Sequence, residues 1–455
     1  MLLEEKGVPG VLRLSDRFRK HREFVSIGMR VTYTGLAFLS TILLTHLVAP
    51  GELGRYFAIL ALVLLIGSTV QSGWAPFLVR EIAALHEQGR GAELAGIGRL
   101  AVRVVGGIAV LTSALAILIG FIRHASPEDR LLLWIAAPII PLLSTSTVRQ
   151  AITRGMGHPL LGQICDSATR PGIQMLGLFC WWLGLFGGLQ GALGALTVFL
   201  VAIAISAVVA YVIERRATAP VRKQVEPRVP PRPQWLGSLV RNAMIGWSAA
   251  VNEQVGTLIL ARFGSHADVA LFRVATQTSL LLVLGLNAVI MVYAPDLSRS
   301  FARKDLPAIQ ELATRGAILG LMSALPLAAG YLIFGSQLLS LLFGAQYSGA
   351  YWPLVALTLG QLANGMFGLV MTMAIATRSE GAALKAQLLG ASANVLLCIL
   401  LVPPFGAVGA ACAAAVSLLL WNVFLSRYLW RNFGVRSFVT AGGIGHLARK
   451  WRRSS

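Results

Sequence analysis

Between Glu214 and Pro233 the chain reads E-R-R-A-T-A-P-V-R-K-Q-V-E-P-R-V-P-P-R-P, with six basic residues and five prolines. A stretch so polar and so stiff does not pack in lipid, and it predicts an extramembrane linker over 214–237. Outward from it, apolar runs follow one another in both directions. On its N-terminal side they fall at 24–48, 57–79, 98–122, 131–152, 160–184 and 189–213. On its C-terminal side they fall at 238–262, 270–294, 311–335, 350–376, 382–402 and 406–429. A hydrocarbon layer about 30 Å thick takes about 20 residues of helix, and each run is long enough. Lipid offers the backbone no partner, so each span is expected to be helical, and the lengths exclude barrel strands. Six spans return the chain to its starting side, so two halves of six share one orientation. The expected fold is an all-α polytopic membrane protein of about 12 transmembrane helices, two six-helix lobes around a pseudo-two-fold along the membrane normal. The lobes are 1–213 and 238–435, followed by a basic tail over 436–455.

Composition agrees. Hydrophobic residues make up 56% of the chain and charged ones 13%, about half the share of a soluble domain. The formal charge of +20 would suit nucleic acid, but the basic residues alternate between loops as the positive-inside rule requires. With the N-terminus inside, 32 of the 39 Lys and Arg fall on the cytoplasmic side, which places both termini there and makes nucleic acid an unneeded partner. Cys165, Cys180, Cys398 and Cys412 fall inside spans without paired spacing and read as small buried hydrophobes. The first 23 residues lack the apolar core of a cleavable signal peptide, so the first span is expected to insert the chain.

The halves repeat weakly. Glu93 to Arg103 matches Asp305 to Arg315 at an offset of 212, Phe57 matches Phe272 at 215, and Gly191 to Ala195 matches Gly406 to Ala410 at 215. That order supports a duplicated lobe with any substrate path between the two copies.

An ionisable group at the centre of a span costs about 2.5–3.5 kcal/mol on insertion scales, so the few present are informative. Arg170 lies deep in span five, before Pro171 and one turn after Asp166. The two make either a self-neutralised structural pair or a substrate ligand with its counter-ion. Glu253, beside Asn252 and Gln254 in span seven, has no basic residue one turn away. It is a candidate for ion coupling or sugar contact, the alternative being an interhelical bond. Arg30 and Arg273 stand near span ends, where long side chains snorkel. With Arg170 and Asn252 they complete the candidate cavity set. Gln361, Asn364, Gln387, Asn394 and Asn287 read as interhelical glue.

No phosphate loop, zincin, nucleophile elbow or zinc spacing occurs, so transport is expected rather than catalysis, with no metal or cofactor. Arg262 to Ala275 (R-F-G-S-H-A-D-V-A-L-F-R-V-A), Leu341 to Tyr347 (L-L-F-G-A-Q-Y), Gly406 to Ala411 (G-A-V-G-A-A) and Leu53 to Ala58 (L-G-R-Y-F-A) resemble Wzx-type polysaccharide and O-antigen flippases. These belong to the multidrug, oligosaccharidyl-lipid and polysaccharide exporter superfamily. In this chain Ala58 comes one position early, Phe272 replaces a usual Tyr, and Glu253 stands where family members often carry an Asp. The lipid II flippases, with usually fourteen spans and an arginine-rich first span, resemble the chain less. The resemblance implies a flippase that turns an undecaprenyl-diphosphate-linked oligosaccharide outward across the bacterial inner membrane for lipopolysaccharide O-antigen or exopolysaccharide synthesis. Its implied partners are that substrate, membrane lipids, a polysaccharide polymerase and glycosyltransferases. A multidrug antiporter of the same superfamily and a non-transporting assembly scaffold are the alternatives.

Overall fold

The computed structural model describes residues 9–122, 127–188, 190–222, 228, 236–377 and 379–438, with backbone alone at 9–24, 26, 27, 122 and 222. Span one is α1 (Pro9–Leu47), and span two is α2 (Pro50–Gln71) continued by α3 (Trp74–Glu87). Span three is α4 (Gly91–Ile122), and span four joins α5 (Pro127–Ala136) to α6 (Ile139–Gly155) at Pro138. Span five passes from α7 (Leu161–Ile164) through a π-helical turn (Cys165–Thr169) into α8 (Arg170–Trp182), and span six is α9 (Gly191–Arg222). The second half follows with α10 (Leu236–Phe263), α11 (His266–Ser279) continued by α12 (Val283–Ala302), and α13 (Leu306–Phe343). Span ten is α14 (Tyr351–Phe367) with α15 (Val370–Ala376). The last two spans form α16 (Glu380–Phe433), which Gly406 breaks at φ 53°, ψ −130° after Pro403 and Pro404.

Seven of these helices or broken pairs are long and apolar enough to cross a membrane alone, eight with the bent α14–α15 pair. The break at Gly406 divides α16 into two. Spans one, five and seven do not meet that measure, and they carry Arg30, the Asp166–Arg170 pair, and the Asn252 to Gln254 run. Span five misses it because its helix is broken at the π-helical turn, and Arg273 lies in span eight, which meets it.

The duplication is visible in the backbone. Gly89 (φ 68°) and Lys304 (φ 56°), 215 positions apart, are both left-handed and close the same turn. Gly89 N–H donates to His86 and Arg90 N–H to Leu85, as Lys304 N–H donates to Phe301 and Asp305 N–H to Ser300. This corrects the offset of 212 expected for the helices that follow: Leu94 corresponds to Ile309, three positions on. A three-residue slip nearly preserves a helix face, so hydropathy alone does not separate the two registers. Gly191 (φ 54°) and Gly406 (φ 53°) likewise open the last span of each half. Each lies against a carboxylate from the first turn of its lobe's second span, Glu52 and Asp268 respectively. A negative charge there meets the positive end of a helix dipole.

The Pro/Arg-rich segment is less detached than expected. Helix α9 runs on to Arg222, and Glu214 and Thr218 are buried in it. Glu214 accepts from Arg149 of α6 at 2.9 Å, and that guanidinium also covers the Tyr211 ring. Burial of this pair holds the helix past the apolar run. Apart from Arg228, residues 223–235 lie outside the described residues, as do 439–455 of the basic tail.

The core divides in a telling way. One cluster, including Leu53, Tyr56, Val269, Phe272 and Phe343, crosses both lobes at the end away from the chain termini. At the basic end there are two clusters, one per lobe, around Phe77, Ile82 and Ile152 and around Ile309, Met373 and Leu425. The buried core is thus shared at the far end and divided at the basic end, where α10 still holds the two lobes together along α3. The far closure is a helix crossing without side chains: a Cβ on Gly54 of α2 would lie 1.6 Å from the His266 carbonyl oxygen of α11. Small residues that let backbones touch are how helices associate where lipid supplies no hydrophobic drive.

Two seams join the lobes and they are unequal. Helix α10 packs closely against α2 and α3, with Gly73 seated on the α10 backbone at Leu239 and Ala243, and Gly246 on Ser72. Helix α1 touches α11 and α12 only lightly, and Arg30 reaches Asn287 across that seam.

Candidate functional site

The split opens a cavity of about 520 Å³ lined by Arg30 of α1, Gln150 and Arg154 of α6, Gln163, Asp166 and Ser167 of span five, and Ile290, Met291 and Ala294 of α12. Both lobes contribute. Arg30 Nη1 donates to Asn287 Oδ1 at 3.1 Å, so it bridges the lobes rather than lying out along lipid. Arg154 carries a buried Nε without a hydrogen-bond partner among the described residues. Asp166 provides the negative charge within its electrostatic reach.

Above Asp166 the π-helical turn changes the local geometry. The Cys165 carbonyl accepts the Arg170 N–H, the bond that widens the turn, and Ser206 of α9 also donates to it at 3.1 Å. Pro171 in the first turn of α8 lacks the N–H that would otherwise need a partner. Arg170 then stands 3.9 Å from Asp166 through a single contact. That is a loose ion pair, without the paired bonds that a fully committed guanidinium and carboxylate would make.

Deeper still, Arg273 of α11 projects inward. It donates to Gln254 Oε1 of α10, and its guanidinium lies 5.9 Å from the centre of the Phe57 ring of α2. The snorkelling expected of it does not occur, because the helix crossing at Gly54 closes the far end above it. Its Nε is buried and unpartnered among the described residues. Tyr56, almost wholly buried, bonds Gln174 and lies within electrostatic reach of both Arg170 and Arg273, so it joins the deep sites of the two lobes. Glu253 is exposed, without a hydrogen bond among the described residues, and is the nearest carboxylate influence on Arg273.

Asn252 differs from expectation. Its Oδ1 accepts from Asn394 at 2.8 Å and from Ser417 at 3.1 Å, so it clamps three spans of its own lobe instead of serving the cavity. A neutral amide one helical position from Glu253 faces another way, as 100° per residue requires. Sequence reasoning missed Arg154, counted as a topological charge, and Tyr56 and Gln254. The i, i+4 spacing of Gln150 and Arg154 was the available signal for the first.

The cavity itself holds the guanidiniums of Arg30 and Arg154 with the Asp166 carboxylate, and deeper in the bundle Arg170 stands beside Asp166 and Arg273 within reach of Glu253. It suits an anionic group moving between the lobes, with planar donors able to grip paired oxygens.

Comparisons agree with this architecture. The family model for the lipid II flippase MurJ matches residues 176–451, and that for the polysaccharide biosynthesis protein matches residues 22–301. The first is a closer tie to lipid II flippases than the span count led one to expect. Two Haloferax volcanii proteins are similar in part. The probable low-salt glycan biosynthesis flippase Agl15 is 22% identical over 171 residues, 38% of this chain and 36% of that protein. The probable flippase AglR is 28% identical over 198 residues, 43% and 40% of the two. The chain thus matches well under half the length of these relatives. Among solved structures, an inward closed lipid II flippase MurJ superposes with a TM-score of 0.70 at 13% identity, covering 89% of this chain and 87% of that one. An inward-facing multidrug resistance transporter of the MATE family gives 0.68 at 13%, covering 90% and 98%.

Proposed function

Since the chain belongs to the polysaccharide flippase family of the multidrug, oligosaccharidyl-lipid and polysaccharide exporter superfamily, we propose that it turns a diphosphate-linked oligosaccharide on a polyprenyl carrier from one leaflet to the other. The observation that carries this reading is the inter-lobe cavity at the basic end, lined by Arg30 and Arg154, with Arg170 and Arg273 set deeper behind it and a core shared by both lobes at the far end. The basic end is the cytoplasmic one by the positive-inside rule, so this is the state that loads substrate. A diphosphate of about two negative charges gains about 2.3 kcal/mol per charge for each 100 mV of an inside-negative potential as it moves outward. The path therefore needs chiefly to shelter charge. Arg30 and Arg154 meet the head group, Arg170 and Arg273 draw it inward, and Glu253 serves coupling or sugar contact. The lobes 1–213 and 238–435 rock about the intervening segment, and the prenyl tail stays in lipid. The setting is a bacterial inner membrane, with O-antigen or exopolysaccharide as product and polymerase and glycosyltransferases as neighbours. A drug-cation antiporter would share the fold, but the surplus of guanidiniums along the path opposes a cationic cargo.

The test is flipping in vesicles holding the purified chain and an undecaprenyl-diphosphate oligosaccharide, read by a sugar-modifying reagent outside. Arg273→Gln is expected to slow it at least about tenfold, the worth of a charge-assisted bond. An unchanged rate would remove Arg273 from the path, and no flipping by the wild type in any lipid would remove the function.

A further inference from the structure

The turn between α12 and α13 encloses a cavity of about 360 Å³ lined by Asp296, Arg299, Ser300, Arg303, Glu311 and Arg315, with Ala308 and Leu312 behind them. Asp296 holds Arg299 and Glu311 holds Arg315, one turn apart in each case. Arg303 is exposed and has no carboxylate partner among the described residues. Three guanidiniums against two carboxylates leave a positive hollow at the basic end. It is separate from the inter-lobe cavity, with which it shares no lining residue, and Arg299 and Arg303 stand on average about a third of a turn round α12 from Met291 and Ala294.

The duplicated frame supplies an internal control. The matching turn of the first lobe has the same backbone hydrogen bonds, yet at an offset of 215 it answers the three arginines with Ala84, Gln88 and Leu100. The fold does not require the arginines. A second observation points to their ligand. Val292 lies two turns before Arg299 on α12, and Leu319 and Met322 follow Arg315 at four and seven residues on α13. All three are exposed, so the hollow is continued by an apolar furrow on the faces directed at lipid.

We propose that this hairpin binds the phosphate of an anionic phospholipid head group, whose acyl chains lie along Val292, Leu319 and Met322. Arginines at head-group depth gain from the negative surface of the leaflet, and a fixed hollow with a furrow above it makes that attraction a site. Asp296 and Glu311 keep two guanidiniums in place, and Arg303 supplies the free charge. The proposal stands apart from the flipping reaction and survives its failure.

The experiment uses the full chain in nanodiscs of phosphatidylcholine with a minor share of phosphatidylglycerol that carries a photoreactive tail. Crosslinks are expected on α12 and α13, and Arg303→Gln should weaken phosphatidylglycerol retention about fivefold, the effect of one cation near the surface. Arg90→Gln, in the matching turn of the first lobe, should leave it unchanged. Equal retention by Arg303→Gln, or crosslinks spread over all basic ends, would overturn the site. Displacement by millimolar inorganic phosphate would overturn the lipid as its ligand.

Discussion

The two lobes share a frame and differ in what they bury. The first lobe holds charge inside: Arg149 against Glu214, and Arg170 beside Asp166. The second pairs neutral groups, Asn252 with Asn394 and Ser417 and Asn422 with Asn364, and sets the Arg273 guanidinium against the Gln254 amide rather than a carboxylate. Both fillings satisfy polar groups within a bundle, but they fail differently. A broken ion pair strands a charge, whereas a broken amide pair leaves a dipole that neighbours can often satisfy. The first lobe is therefore the more sensitive to single substitutions in its interior.

The largest expected effect tests that contrast directly. Glu214→Gln strands the Arg149 guanidinium and should cost about 3–5 kcal/mol, against about 0.6 kcal/mol for Asn394→Ala. Thermal unfolding in one detergent compares them, and equal losses would erase the distinction between the lobes. Next comes the other charged pair. Its looseness predicts that Arg170→Gln keeps protein abundance but slows flipping about tenfold or more, and that adding Asp166→Asn does not bring the rate back. Full recovery of flipping in the double variant would make the pair structural, like Arg149 and Glu214.

A third test concerns the far closure, where the first lobe offers Gly54 and its counterpart in the second is the buried Val269. Gly54→Ala forces the α2 and α11 backbones apart and should cost about 1–3 kcal/mol, with a cysteine at Phe38 becoming reactive from the far side. Val269→Ala should leave that cysteine protected. The smallest effect lies in the paired turns. Lys304→Gly relieves a left-handed residue and should raise stability by up to about 1 kcal/mol, whereas Gly89→Ala should lower it by a similar amount. A loss on Lys304→Gly would mean that the lysine side chain holds its turn by contacts that Gly89 lacks.

Much of this was legible beforehand because lipid makes so few structures possible. Apolar length placed the spans, including the separation of 382–402 from 406–429 that falls at the Gly406 break in α16. Register was harder: the slip from 212 to 215 leaves hydropathy almost unchanged, and only the left-handed positions at Gly89 and Lys304 resolve it. Side-chain direction was harder still. Arg273 reads as a residue near an interface until the crossing at Gly54 closes that exit, and Asn252 reads like Glu253 until Asn394 claims it. The π-helical turn that sets Arg170 apart from Asp166 has no sequence marker stronger than the proline that follows it.

The inequality of the seams gives the molecule a front and a back. A half-turn about the membrane normal exchanges spans one and seven, and two and eight, so it should carry the α10 seam onto that of α1. It does not, because glycines bring the backbones together in the one, whereas among the described residues Arg30 reaches Asn287 and Phe38 meets Phe343 across the other. An object that a symmetric fold would admit from either flank meets here one door and one wall. If the chain moves the cargo proposed for it, that cargo enters beside α1 and α12, and a row of such proteins in a membrane would have a common facing as soon as a neighbour bound that flank.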